Sequence, residues 1–575
     1  MFFSTWLRNW KRTRRGTRPP GPSYLSGRCR LGIEVLEDRC LLSGGVLDQT
    51  FGSHGIVGTN VGNGSTSSPQ SVAIYANAGT INDGKIVAAG YTYDSSNLGV
   101  FAVARYTAAG ALDPTWGSNG LVTTSFGRRT AGFAFGAGIQ GDGKVLLAGT
   151  SSSAFTLARY NSNGSLDTSF GNNGIGLTHF GKKSSDLASD LAIQPDGKII
   201  AAGRSDGNVA LARYNTNGSP DTSFGPAHTG LVTTAFASPA DSGWNKTLDM
   251  ALYPSISPAE AGKIVVVEQL DLSTTPSASD SVVVIRYNAN GTLDTTFNGI
   301  GEVTINSANF PSVALQSNDD VVVSYNSTNS NPAALQVVRF NPNGSMDTSF
   351  SFAGIPLSGP GLVNTHIRDT TIQANGQILV AGYYQPTNNG GFEPHYFFVT
   401  RVNANGGLDT TFGTGGVATP WGATDAGSYP VSLALDANGN IVLAGTAGCS
   451  GMLQEFAVLR MLPTGLAVGP EIGAFIGPAS SVGVGNAVTL TVGNITDTNS
   501  GATITQVAFY VDSDNNGVLD SADTLLSYGT QTSPGEWTLS SANAFGLSHG
   551  NYTVFAQAED SGGVFGDPFA ITLAV

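Results

Sequence analysis

Short apolar runs separated by glycine-centred turns recur along most of this chain in one fixed order. In the stretch 167–218, Asn172-Asn173-Gly174 leads into a run from Ile175 to Phe180. Two further runs, Asp190 to Gln194 and Lys198 to Ala202, flank Pro195-Asp196-Gly197, and Asn208 to Tyr214 ends at Asn217-Gly218. An Asp-Gly pair between two such runs is a hairpin signal, so each unit is expected to supply four short antiparallel strands. Runs such as Ile264 to Val267 and Val282 to Ile285 are apolar at successive positions, which predicts strands covered on both faces. No stretch within the units keeps a helical period free of Gly and Pro, so helical repeats are not expected.

The unit repeats seven times. Its first anchor is an Asp followed two residues on by Thr or Ser and then by an aromatic, at Asp48, Asp113, Asp167, Asp221, Asp294, Asp347 and Asp409. A Gly-Lys-type turn comes next, then an Arg closing another run. In six cases that Arg precedes the next Asp by eight residues: Arg105, Arg159, Arg213, Arg286, Arg339 and Arg401. Asp48 and Arg460 are left over at opposite ends of the array. A four-stranded sheet covered on both faces by copies of itself is a propeller blade, and closing the ring would bring the two leftovers together. An open solenoid would instead need atypical capping units. The expected fold is therefore all-β: a seven-bladed β-propeller over 46–468. Residues that obey the repeat are read as holding the hairpins, Asp by accepting backbone N–H bonds and Arg by pairing with it.

Leu166-Asp-Thr-Ser-Phe-Gly-Asn-Asn-Gly174, Asp196-Gly-Lys-Ile-Ile-Ala-Ala-Gly203 and Leu211-Ala-Arg-Tyr-Asn-Thr-Asn-Gly218 resemble the delta-sixty repeat of large exported bacterial proteins. The resemblance implies a propeller-type module and says little about activity. Copies four to six drift: Gly262-Lys263 lacks the preceding Asp, Asp319-Asp320 replaces Gly-Lys, and Ser351 replaces the glycine after the aromatic.

Charge divides the chain. Residues 1–45 hold nine Lys/Arg against Glu34, Glu37 and Asp38, and the remainder, with 18 basic and 38 acidic residues, carries a net charge of -20. Such acidity argues against a phosphate backbone as partner, which needs a cationic surface. The basic leader lacks the apolar core of a secretory signal. Its segment 30–43, with Leu36-Glu-Asp-Arg-Cys-Leu-Leu-Ser43, resembles a leader motif of large exported bacterial proteins, which implies an extracellular or cell-surface location. No apolar run is long enough for a transmembrane helix. The three cysteines, Cys29, Cys40 and Cys449, build neither a disulfide framework nor a zinc site.

Residues 469–575 form a further unit. Alternating runs at Val488–Val492, Ile504–Val511, Tyr552–Ala558 and Phe569–Leu573 predict a small β-sandwich, similar to the immunoglobulin-like domains of bacterial surface proteins. Within it, Asp512, Asp514, Asn516, Val518, Asp520 and Asp523 take ligand positions 1, 3, 5, 7, 9 and 12 of a calcium loop, with Gly517 at the sharp turn. Alternate oxygens wrap a hard cation, and Val518 would lend its carbonyl. Position 12 is the shorter Asp, as in dockerin-type loops. A structural Ca²⁺ is expected there; the bland reading is a solvated acidic hairpin.

Enzyme signals fail on inspection. Gly546-Leu-Ser548-His-Gly550 matches a nucleophile elbow but precedes a strand, where that elbow needs a helix. Gly138 to Lys144 approaches a phosphate loop, yet Val145 stands where Ser or Thr is required. The six histidines show no ligand spacing, and no catalytic residue is assigned. Two classes remain: a monomeric binding or scaffold protein presenting loops near 238–246, 274–279 and 385–393 to a glycan or protein, or a propeller hydrolase or lyase acting at the central channel. Acidic or histidine ligands converging at one mouth of the ring would favour the second.

Overall fold

The described elements are strands and turns, as the glycine-punctuated apolar runs require. The computed structural model describes residues 46–62, 66–76, 79–236, 248–254, 260–270, 280–328, 334–352, 354–356, 363–385, 396–419, 429–447, 454–463, 471–496, 503–513, 519, 523–560 and 568–575. The basic leader, two of the anticipated insertion loops and all of the third after Gln385 lie outside them. The chain divides into two units, 1–39 and 40–575, and every described residue belongs to the second.

Among the described residues there are nine four-stranded antiparallel sheets. Seven of them begin with the strands Ser67–Ile74, Gly132–Ile139, Asp186–Ile193, Leu248–Leu252, Ala308–Leu315, Val363–Ile372 and Tyr429–Leu435. Each of these first strands packs on the next, and Tyr429–Leu435 packs back on Ser67–Ile74. Their order is cyclic. Adjacent sheets share one core: Val87, Ala89 and Phe101 of the first sheet lie with Val145, Leu147 and Ala158 of the second. Strands Ile264–Leu270 and Ser281–Tyr287 are buried at every position, as their unbroken apolar runs predict.

The sequence repeat and the sheet are out of phase. The run after each glycine turn was expected to open a unit, yet Ile175–Thr178 pairs backwards with Ala154–Tyr160 as the last strand of the preceding sheet. The reason is the tight turn at Asp167, whose N–H donates to the Arg159 carbonyl and folds the chain back on the strand it has just left. The same offset closes the array. Ile56–Thr59, near the start of the described chain, pairs antiparallel with Glu455–Met461 and completes the seventh sheet.

Six of the seven first strands carry a register shift. Opposite it, the second strand usually has glycine. A Cβ on Gly90, Gly149 or Gly203 would lie 2.1, 2.0 and 2.0 Å from a backbone carbonyl oxygen, so a side chain is excluded there. The fourth sheet shows no shift among its described residues and has Glu268 at this place. Glu268 is fully buried and pairs with Arg204 of the third sheet, through Arg204 Nε to Oε2 at 3.2 Å and a second, shorter bond to Oε1.

The other two sheets belong to residues 471–574. One is ordered Glu471–Ile476, Val488–Thr496, Glu536–Ser541, Thr530–Ser533, the other Thr524–Tyr528, Ile504–Val511, Asn551–Asp560, Phe569–Ala574. Leu490, Val492, Phe509, Trp537, Val554 and Leu573 from both form one core. The four predicted strands are present. Thr530–Ser533 was not anticipated, because it is exposed at all positions and leaves no alternation to read. The only helical element among the described residues is the short 3-10 turn Ala544–Gly546. Asn551–Asp560 follows the Gly546–Gly550 motif as a strand, so the geometry is a turn rather than an elbow.

Candidate functional site

Seven times over, the repeat anchors meet at one end of the sheets. Arg Nε lies 2.9 Å from Asp Oδ2 in the pairs Arg105/Asp113 and Arg159/Asp167, and 2.7 Å from it in Arg213/Asp221 and Arg286/Asp294. It lies 2.8 Å away in Arg339/Asp347 and Arg401/Asp409. The seventh pair is Arg460 and Asp48, at 2.7 Å across a separation of 412 residues. Closure of the array therefore repeats the chemistry of its internal joints.

Each joint explains its sequence motif. Asp Oδ1 accepts both the backbone N–H and the hydroxyl of the residue two further on, as Thr115 does at Asp113 and Ser169 at Asp167. That is why Thr or Ser follows at this spacing. The aromatic one position later lies under the guanidinium, with Phe170 centred 4.5 Å from Arg159 and Phe51 4.7 Å from Arg460. Nη1 then reaches a carbonyl of the next sheet: Arg105 donates to Ser162 at 2.9 Å, and Arg460 donates to Ala108 at 2.6 Å. Each arginine thus ties a turn in its own sheet to the neighbouring sheet. The lysine of the Gly-Lys turn joins four of these carboxylates, closest for Lys263 and Asp294 at 2.8 Å.

All seven carboxyls are shifted below the usual carboxylate range. Burial pushes Asp294 up, but the bonds from Lys263 and Thr296 and the charge of Arg286 outweigh it and hold the group at about 2. At Asp347 the hydroxyl of Ser349 and then the Arg339 bond bring it to about 2. These groups recur with the repeat and are committed to one another, which is the arrangement of a structural joint.

The calcium-type loop lies in the C-terminal unit. Asp514, Asn516, Val518 and Asp520 fall outside the described residues; Asp512 and Asp523 are described. Val511 and Thr524 are register partners, so the two ends of the loop leave adjacent strands. Asp512 is buried, with its N–H on the Thr553 carbonyl at 3.0 Å. Asp523 Oδ1 accepts the Ser513 N–H at 2.9 Å. Positions 1 and 12 are thereby brought to one neck, the arrangement a wrapping loop needs. Among the described residues no group of three or more His, Cys, Asp or Glu stands close enough to hold a metal.

The strand directions define the other end of the sheets. Leu231–Thr234 and Leu248–Leu252 flank the anticipated loop 238–246, Ile264–Leu270 and Ser281–Tyr287 flank 274–279, and Ile378–Gln385 and Tyr396–Val402 flank 385–393. In each case the first of the two strands runs away from the Arg–Asp joints and the second runs back towards them. All three insertions are therefore made at the end opposite the joints.

A family described as a domain of unknown function (DUF5122) beta-propeller matches residues 81–115, 140–170, 194–224, 274–297, 320–350 and 373–412. Each of these six segments ends at or just beyond the Asp turn of an internal joint. The seventh joint, divided between the two ends of the array, falls outside them. No curated protein matches the chain. Similar solved structures include a fungal alcohol oxidase of the AA5 family in complex with copper, at 13% identity, covering 90% of this chain and 100% of the other, with a TM-score of 0.36. A protein of unknown function from Dyadobacter fermentans is 10% identical, with 71% and 99% covered and a TM-score of 0.36. The PQQ-bound aldose sugar dehydrogenase of Streptomyces coelicolor is 11% identical, with 57% and 94% covered and a TM-score of 0.33. The chain is a β-propeller protein. Likenesses this distant carry nothing about its chemistry.

Proposed function

We propose that this chain is an exported or cell-surface binding protein, a seven-bladed propeller followed by an immunoglobulin-like sandwich, which presents its loop-bearing end to a glycan or protein ligand. One observation carries the reading: the three insertion loops anticipated near 238–246, 274–279 and 385–393 are all made at the end opposite the seven Arg–Asp joints. Loops carried by a rigid scaffold are where such a fold displays recognition surfaces. The resemblance of segment 30–43 to an export leader supports the location. A structural Ca²⁺ in the loop Asp512–Asp523 belongs to the same reading, and its support is the shared neck formed by Asp512, Ser513 and Asp523.

The test is binding to a glycan array and to host-surface protein fractions, by the full chain and by variants in which 238–246, 274–279 and 386–393 are each cut to a short Gly-Ser turn. Loss of binding in at least one shortened variant is the expected result. Binding that survives all three cuts overturns the reading. Turnover of a polysaccharide without retained binding points instead to a hydrolase or lyase at the channel.

A further inference from the structure

Between the fifth and sixth sheets, near the loop-bearing end, the chain departs from its repeat chemistry. The rings of His366 and Tyr383 stack at 4.7 Å and 13°, and Phe310 of the neighbouring sheet lies 4.2 Å from His366. The Arg368 guanidinium covers Tyr383 at 5.3 Å, and its Nη2 donates to the Tyr383 hydroxyl at 3.3 Å. Phe310, His366 and Arg368 are only half-buried, so this patch has a surface.

Three features mark it as more than a packing contact. Phe310 has φ of 51°, a left-handed conformation that is an outlier for a bulky residue. Its N–H donates to Gln269 Oε1 at 3.0 Å, and Gln269 is itself anchored on Asp280, so the unusual backbone is held in place. Strain retained by its surroundings concentrates at ligand sites.

The second feature is polar. Asn309 Oδ1, Asn326 Oδ1, Thr365 Oγ1 and Arg368 Nε are buried without a hydrogen-bond partner among the described residues. Asn326 and Thr365 are 2% and 4% exposed, and Asn326 Nδ2 bonds the Thr365 carbonyl, which fixes the direction of its free oxygen. Native proteins leave few such groups, and a cluster of them calls for a partner. Third, the strand arginines 105, 159, 204, 213, 286, 339, 401 and 460 each pair with a carboxylate, whereas Arg368 has none among the described residues.

We propose that this patch is a carbohydrate subsite taking one sugar ring that bears a carboxylate, as in a uronic acid. The inference rests on the binding function proposed above and names its ligand class. The C–H face of a pyranose is weakly positive and suits the negative face of an aromatic ring, here the half-buried ring of Phe310. Its hydroxyls both donate and accept. They suit a wall that offers acceptors at Asn309 and Asn326 and a donor at Arg368 Nε, directly or through one ordered water. The planar guanidinium pairs with a carboxylate in two-pronged fashion, which supplies the counter-charge that Arg368 lacks.

The test is calorimetry on the full chain with oligogalacturonate and oligomannuronate, beside neutral cellotetraose. Binding of a uronate is expected, with cellotetraose weaker by about tenfold. Arg368→Gln should reduce uronate affinity about tenfold or more and remove the preference over the neutral sugar. Phe310→Ala should weaken both kinds of oligosaccharide, and Arg368→Lys should restore part of the charge-dependent preference without the two-pronged geometry. Melting curves for each variant separate lost binding from lost folding. No uronate binding, or uronate binding indifferent to Arg368→Gln in a folded protein, overturns the subsite. If the loop-shortened variants still lose a ligand that Phe310→Ala and Arg368→Gln retain, the loop-face function stands and only the subsite falls.

Discussion

Asp48 accepts a 2.7 Å hydrogen bond from Arg460 Nε although 412 residues separate them, and Arg460 Nη1 goes on to the Ala108 carbonyl. The joint links the two ends of the repeat array and the first sheet at once. Asp48→Asn, which leaves the half-buried guanidinium without its counter-charge, should cost roughly 3–5 kcal/mol. The internal variant Asp167→Asn should cost a similar amount. Urea unfolding of the two variants checks this. A closure variant with wild-type stability would show that the ends are held by strand pairing alone.

Acid should unfold the propeller within a defined window. The seven joint aspartates have folded pKa values lowered from the ordinary ~3.9 of the unfolded chain, with Asp294 and Asp347 at about 2. A depressed folded pKa contributes stability that is fully present above the unfolded value and is lost as pH falls through the folded one. Melting temperature should therefore hold above about pH 4 and fall steeply towards pH 2. A flat profile across that interval would contradict the joint chemistry.

The buried Arg204–Glu268 pair ties the third sheet to the fourth. Removing one partner's charge, as in Glu268→Gln, takes a buried carboxylate from Arg204 and should destabilise the fold, by up to roughly 3–5 kcal/mol. The double variant Arg204→Met with Glu268→Met should recover much of that loss. A double-mutant cycle in urea measures the coupling, and simple additivity of the two single effects would argue against it.

Glycine positions give a paired test of the bulged first strands. Gly203→Ala places a Cβ 2.0 Å from the Leu187 carbonyl oxygen and should destabilise by about 1–3 kcal/mol. Gly141→Ala meets nothing within 4 Å and has no left-handed φ, so it should be neutral or stabilising by about 0.4–1 kcal/mol. Equal melting temperatures for the two would remove the steric account.

Calcium should act on the C-terminal unit alone. The transition reporting on Trp537, buried in that core, is expected to rise in temperature with Ca²⁺ and fall with chelator. Asp512→Ala or Asp523→Ala should abolish the difference. An identical Trp537 transition with and without chelator leaves the loop as an ordinary acidic hairpin.

The joints were legible in the sequence because their members sit eight residues apart, so the phase of the repeat exposed Asp48 and Arg460 as the missing pair. The sheet boundaries were not. Nothing in the composition of Ile175–Thr178 tells whether it pairs forwards or backwards, and the turn at Asp167 decides it. The Arg204–Glu268 pair was hidden because Glu268 stands where other copies have glycine, which reads as drift until the neighbouring sheet is in place. The patch at Phe310, His366, Tyr383 and Arg368 is assembled from two sheets and obeys no repeat, so no periodicity could reveal it.

The offset between repeat and sheet has a consequence for assembly of the chain. Six of the joints are local, with partners eight residues apart around one turn, and only Arg460 and Asp48 must find each other across the array. That last joint cannot form until both ends of the array have been synthesised.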